Sequence, residues 1–362
     1  MVKVQLRGAV PQLCTAQSKA PDDVADIVAR CGFRTVLVHP FSSTNPLLWR
    51  IGRVLAWLTI PWVGWRVPKG AVLFVQYPDS YQGRIGVRML RWIKRHRDVR
   101  IIMLIHDLPT LRYQSAADLA NRAPEVNENL SFADVIIVHN RRMLDWMAEH
   151  GTERSKMLSI DLFDYLTEAP LSPEPVDAGL RRSIAIPGYL ALSSSGFLAK
   201  LHEIQGIEWQ LYGVAFEADK VAGSNVHYHG SFSPEKLPSQ MKCGFGLIWY
   251  GSSIDACDGF LGRYVQYINP HKLSLFMASG IPVIVWNRSA MADFVRVNAV
   301  GLVVNSLRDI TKAIEALSDA DYFAMRANAL RLAESVRAGM FTRTALECAL
   351  RRLEHSIPQA TA

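Results

Sequence analysis

Apolar and polar positions along this chain follow two rhythms. Short runs of β-branched and aliphatic residues alternate with longer stretches in which apolar residues return every three or four positions. Val2 to Leu6, Thr35 to Val38, Val72 to Val75, Ile101 to Ile105, Val135 to Val138 and Met157 to Ile160 read as buried parallel strands, because both of their faces are apolar. Between them, Pro21 to Cys31, Tyr81 to Arg97 and Arg141 to His150 carry helical spacing. Pro170, Pro173 and Pro175 then interrupt the pattern among acidic and small residues.

The alternation restarts with strand candidates at Ser183 to Ile186, Trp209 to Tyr212, Val226 to Tyr228, Phe245 to Trp249, Pro282 to Trp286 and Gly301 to Val304. Helical patterns cover Leu307 to Leu317, Asp319 to Arg337 and Ala345 to Glu354. The reading is α/β, with two doubly wound, Rossmann-like domains in series. The first spans residues 1–165 and the linker 166–182. The second spans 183–340, and 341–362 form a C-terminal helix and tail. Two such sheets face a central cleft, with the loops at their carboxyl strand ends toward it.

The densest chemistry lies at Asn269-Pro270-His271-Lys272, between a long loop and an apolar helix ending near Gly280. Asn269 reads as an N-cap and Pro270 as the first helical residue, which puts His271 and Lys272 in the first turn. A lysine there is unfavourable beside the positive end of the helix dipole, unless an anion binds. The alternative is a lysine turned into solvent. The preceding loop, Trp249 to Gly259 with Gly262, Arg263 and Tyr264, is glycine-rich and polar. Asp255 and Asp258 are three apart, which is not a D-x-D metal pair, so loop capping is the better reading.

In the first half, His106-Asp107 follows an apolar strand, where a sheet presents catalytic groups. Asp107, or His106 in its place, could take a proton from an attacking hydroxyl. Capping of the turn before Pro109 would explain Asp107 nearly as well. Gln76-Tyr77-Pro78 ends the neighbouring strand, and Ser18 and Lys19 precede the helix expected to open at Pro21.

The net charge is +7, and Arg84, Arg88, Arg91 and Arg95 share one helical face beside Ile85, Met89, Trp92 and Ile93. A solvated basic edge is the simpler account, and docking on anionic lipid the alternative. Val54 to Val67 holds Trp57, Trp62 and Trp65 but falls short of the ~18 apolar residues of a membrane span. It reads as a buried helix followed by a turn, with a helix lying on a membrane surface as the second reading. The N-terminus lacks a signal-peptide layout, and the five cysteines form no C-x-x-C pair. Reduced thiols in the cytoplasm are expected. No G-x-G-x-x-G follows a strand, and Walker A, H-E-x-x-H and G-x-S-x-G motifs are missing.

At Asn269 to Lys272, Gly280 to Trp286, Ile105 to Leu108 with Arg112, Gln76 to Pro78, and Ser18 to Ala20 with Asp23, the chain resembles a bacterial family of GT-B glycosyltransferases. That family includes glucosyltransferases extending N-acetylglucosamine on serine-rich adhesins, and β-1,6-galactofuranosyltransferase-like enzymes. The resemblance implies a UDP-sugar donor, no metal or other cofactor, and a homo-oligomer. It implies catalysis at Asp107 or His106. Lys272, Asn269, His271, Tyr264, Tyr189, Ser18 and Lys19 would bind the nucleotide sugar, and Gln76, Tyr77 and Arg112 would lie on the acceptor side. One departure is Gly188-Tyr189-Leu190, where relatives tend to read Gly-Asn-Leu.

The expected function is transfer of a hexose (glucose, galactose or galactofuranose) to a glycan, glycolipid or glycoprotein acceptor. The expected location is the cytoplasm, with peripheral contact at the inner membrane face left open. A non-catalytic partner subunit of the same fold is the alternative. A nucleic-acid binder ranks last, since the basic residues form no recognised module.

Overall fold

The computed structural model describes residues 2–8, 16–38, 61–78, 84–112, 115–171, 178–221 and 223–355. Every strand that the apolar runs predicted is present. β1 (Lys3–Gly8), β2 (Arg34–Val38), β3 (Val72–Tyr77), β4 (Arg100–Ile105), β5 (Val135–Val138) and β6 (Met157–Ser159) form one parallel sheet, in the order β2-β1-β3-β4-β5-β6. β7 (Ser183–Tyr189), β8 (Glu208–Val214), β9 (Val226–Tyr228), β10 (Phe245–Ile248), β11 (Val283–Trp286) and β12 (Gly301–Val304) form the second, in the order β12-β11-β10-β7-β8-β9.

Each sheet reverses its strand order once, between β1 and β3 in the first and between β7 and β10 in the second. At such a point neighbouring crossovers leave on opposite faces, and a crevice opens at the carboxyl ends of the strands. The fully apolar strands are those buried on both sides, as in β5 and β11. Edge strand β9 is short and largely exposed. The helix His271–Ala278 lies so close to β10 that a Cβ on Gly246 would come within 2.2 Å of the Phe276 ring.

Several local expectations change. The first helix runs Ala16–Arg30 with Pro21 inside it, so Ser18 and Lys19 belong to the helix and not to a loop before it. Helices at Ala116–Leu130, Gly259–Tyr264 and Ala292–Asn298 carried too weak a periodic signal to be predicted; the first contains Pro124 in a polar run. Leu162, Phe163, Asp164 and Tyr165, at the end of the first domain, are all buried. The final helix, Met340–His355, crosses back onto the first domain. Its Ala345, Leu346, Ala349 and Leu353 share a core with Val24, Phe74, Ile102 and Ile137.

Of the tryptophan-rich stretch, the described part is a helical turn at 61–66; Trp57 lies outside the described residues. Val63 and Val67 are buried in the first domain, but Trp62 and Trp65 are 47% and 73% exposed. The buried-helix reading therefore holds for one face only. Among the described residues no helix is long and apolar enough to cross a membrane.

Candidate active site

The cleft begins with His106 and Asp107, which leave the carboxyl end of β4. His106 Nε2 donates to Gln76 Oε1 at 2.5 Å, and Gln76 Nε2 donates to Pro21 O at 3.1 Å. The amide of Gln76 thus fixes the His106 tautomer, leaving Nδ1 without the proton. Burial, reinforced by the nearby His139 and His271, drives the His106 pKa down to about 3. A base that weak suits a structural role better than proton abstraction. Gln76 and Tyr77 are buried at the strand end, so they act on the wall of the cleft from behind. Pro78, by contrast, lines it.

Asp107 is more exposed, and its partners come from both domains. Tyr264, at the end of the helix Gly259–Tyr264, donates its hydroxyl to Asp107 Oδ1 at 2.5 Å and accepts from Leu108 N at 3.2 Å. Burial first, then the charge of Asp107, push the Tyr264 phenol well above its ordinary pKa, so it stays a donor. Arg112 approaches Asp107 Oδ2 at 3.7 Å and lies over the Tyr264 ring at 5.6 Å. A carboxylate oriented by a phenol and a guanidinium, and half open to the cleft, has the geometry of a general base.

Asn269 does not cap its helix. The cap position is Pro270, no side chain closes that end, and the helix starts at His271. The Asn269 amide instead spans the two domains: Nδ2 donates to His139 O at 2.8 Å and to Asp161 O at 2.7 Å. Its Oδ1 accepts from Asn140 Nδ2 at 2.8 Å, and its backbone N–H donates to His139 Nδ1 at 3.0 Å. Because Nδ1 accepts, His139 carries its proton on Nε2 and donates to His106 O at 3.0 Å. Burial lowers His139 to about 4. His271, stacked on Tyr165, donates Nε2 to Asp164 O at 3.1 Å and is also lowered by burial to about 4.

The uncapped helix end leaves Lys272 at the reversal point of the second sheet. Its stem runs past Gly188 at the end of β7, where φ is +121° and a Cβ would lie 3.1 Å from Lys272 Cε. Glycine at 188 answers both constraints, the left-handed backbone and the lysine's approach. Lys272 Nζ sits 5.3 Å from the centre of the Tyr250 ring, and among the described residues it has no carboxylate partner. Burial lowers its pKa to about 8. An unpaired, partly desolvated ammonium beside the free N–H groups of a helix end has the charge and the donors that suit an anion.

A cavity of about 420 Å³ joins these parts, walled by residues of both domains including Ala20, Pro21, His106, Asp107, Tyr250, Tyr264 and His271. Lys272 is not on its wall, but its Nζ lies 5.3 Å from the ring of Tyr250, which is. Lys19 is engaged elsewhere. It is buried, bridges Asp23 at 2.7 Å and Glu235 of the second domain at 3.0 Å, and lies over Tyr165. Ser18, beside it, is half-buried. Tyr189 is exposed at the end of β7, one residue beyond Gly188. Asp258 acts as a loop staple, accepting from Ser252 N, Ser252 Oγ and Ser253 N, while Asp255 takes Arg308.

Models of the glucosyltransferase 3-like N-terminal and C-terminal domains match residues 10–162 and 186–349. The chain belongs to the glucosyltransferase 3-like family. It is similar to the beta-1,6-galactofuranosyltransferase WbbI of Escherichia coli K12, at 30% identity over 72% of this chain and 74% of that one. It is also similar to glucosyltransferase 3 of Streptococcus parasanguinis, at 24% identity over 89% of this chain and 90% of that one. Among solved structures, HepE of Anabaena in complex with UDP aligns over 98% of this chain and all of that one, with a TM-score of 0.59 at 10% identity. A sucrose-phosphate synthase from Thermosynechococcus elongatus aligns over 98% of this chain and all of that one, with a TM-score of 0.60 at 15% identity. These likenesses make the fold GT-B.

For a member of this family, the sequence left several cleft residues unremarked. His139 and Asn140 follow the apolar run of β5 as His106 and Asp107 follow β4, so the same strand-end rule would have found them. Asp164 and Glu235 carry no local signal, because their partners, Thr342 and Lys19, are far away in sequence.

Proposed function

We propose that this family member is a metal-independent hexosyltransferase that takes a UDP-sugar as its only cofactor-like partner. The donor diphosphate would lie on Lys272 and the N-terminus of the helix His271–Ala278. The observation that carries this reading is the unpaired Lys272 ammonium at the strand-order reversal beside β7 and β10. Binding an anion there relieves its burial and meets the helix dipole with the favourable sign.

Transfer then follows from the cleft. The bond from the sugar's anomeric carbon to the diphosphate breaks, and UDP leaves with the electron pair, its charge met by Lys272. The acceptor hydroxyl forms the new bond, and its proton passes to Asp107. Asp107 lines the cavity from the first domain, which supports an acceptor bound on that side. Glucose, galactose and galactofuranose are the hexoses we infer, delivered to a glycan, glycolipid or glycoprotein by a cytoplasmic homo-oligomer. A glycolipid acceptor would bring the enzyme to the inner membrane face.

The test is a panel of UDP-glucose, UDP-galactose and UDP-galactofuranose, followed by calorimetry for binding and by release of free UDP for turnover. Binding and slow donor hydrolysis with one of them is the expected result. Binding without any turnover would favour a non-catalytic partner subunit, and no binding of any UDP-sugar would overturn the proposal.

A further inference from the structure

The helical turn at 61–66 is fixed to the first domain through Val63 and Val67, spaced so that both point into the core. Gly64 sits against Trp92 so closely that a Cβ would lie 2.2 Å from the ring, which leaves the turn no freedom to roll. Trp62 and Trp65 therefore stay on the outer face. Burying an exposed tryptophan pair is favourable, and among the described residues the two rings remain 47% and 73% exposed.

The surroundings are strongly basic. Arg66 lies over the Trp62 ring at 3.9 Å, and Lys69 sits on a turn tied to the neighbouring helix Arg84–Arg97 by Gly70 N to Arg97 O and by Arg97 Nε to Val67 O, both 2.9 Å. Arg34 donates to Arg66 O from the strand below. On the helix, Arg88, Arg91 and Arg95 are exposed beside Trp92. Residues 61–70 and 84–97 together hold eight Lys and Arg and no carboxylate, against a net charge of +7 for the whole chain. Among the described residues, Asp134 neutralises Lys94 at 2.7 Å, Glu128 accepts from Arg91 through its carbonyl, and Asp98 follows the helix.

We propose that this face docks on an anionic lipid bilayer, with Trp62 and Trp65 at the headgroup level and Arg66, Lys69 and Arg95 against the lipid charge. Tryptophan favours the membrane–water boundary, and each basic side chain near an anionic surface adds roughly a fivefold gain in partitioning. A second protein copy would present the same positive charge to itself, which disfavours self-association through this face. The inference does not depend on which sugar is transferred.

The experiment is co-sedimentation of the full-length protein with phosphatidylcholine vesicles, and with phosphatidylcholine–phosphatidylglycerol vesicles, at low and high salt. Pelleting is expected only with the anionic vesicles, weakening as salt rises. Trp62→Ser with Trp65→Ser should abolish it. Lys69→Glu with Arg95→Glu should reduce it on the order of 10-fold or more; neither of these two residues makes a hydrogen bond or ion pair among the described residues. Both variants should keep the wild-type donor hydrolysis in solution, which separates this surface from the cleft. Equal pelleting on neutral vesicles, no pelleting on anionic ones, or tryptophan variants that change only the oligomeric state would overturn the proposal.

Discussion

The Tyr264 hydroxyl of the second domain donates a 2.5 Å hydrogen bond to the Asp107 carboxylate of the first. The same oxygen accepts from the backbone of Leu108, so one phenol holds the whole strand end that carries the candidate base. The two domains meet at this carboxylate.

Replacing Asp107 by Asn keeps its shape and removes its capacity to accept a proton. UDP affinity should stay within about twofold, while transfer falls by about 10²–10⁴-fold. Calorimetry with UDP and a coupled assay for UDP release measure the two effects separately. Full transfer by Asp107→Asn would assign the base elsewhere.

Tyr264→Phe retains the buried ring and deletes the oxygen. The Leu108 N–H loses its acceptor, which should cost about 1–3 kcal/mol of stability. The turnover number should fall roughly tenfold as Asp107 loses its orientation, with UDP affinity little changed. Thermal denaturation and steady-state kinetics read these out.

Lys272→Ala should raise the dissociation constant for UDP by about 30-fold or more, the usual loss when one member of a desolvated charge pair is truncated. Burial lowers the Lys272 pKa to about 8, so only below that pH is the ammonium fully present before an anion binds. Wild-type affinity should therefore weaken as pH rises above about 8, and the alanine variant should be flat over the same range. A titration series from neutral to alkaline pH distinguishes them.

Asn269→Ala removes the amide that joins Asn140, His139 and Asp161. Asp161 O loses this donor, while Asn140 keeps Tyr267 O and His139 O keeps Asp161 N, so a loss of about 1–3 kcal/mol is expected. The melting temperature should drop even with UDP bound, whereas Lys272→Ala should leave it nearly unchanged.

Acid should loosen the seam. His106, His139 and His271 are lowered by burial to about 3, 4 and 4, so below about pH 6.5 the unfolded chain takes up protons that the native cleft refuses. Asp23 and Asp164, raised by burial to about 6, act in the opposite sense, since their native forms hold protons that the unfolded chain releases. Three histidines against two carboxylates leave a net uptake of roughly one proton on unfolding between pH 4 and 6. Stability should thus decline by about 1.4 kcal/mol per pH unit as pH falls through that range. Melting temperatures across a buffer series check the sign, and a rise toward acid would mean that the carboxylates dominate.

The sequence by itself determined both sheets. Strands such as β5 and β11 are apolar on every residue because each is covered on both faces, and that pattern survives without any knowledge of neighbours. It also marked His106, Asp107 and Lys272, since strand ends and helix starts are local features. What only the tertiary structure decided is the partner of each group. Asn269 looked like a cap and became a clamp, because its acceptors lie on His139 and Asp161. Lys19 looked like a cleft cation and became half of a buried bridge to Glu235. Tyr264 reaches Asp107 across 157 positions of chain. Periodicity records which face of an element is covered, but a hydrogen bond between distant segments leaves no mark on the spacing of either.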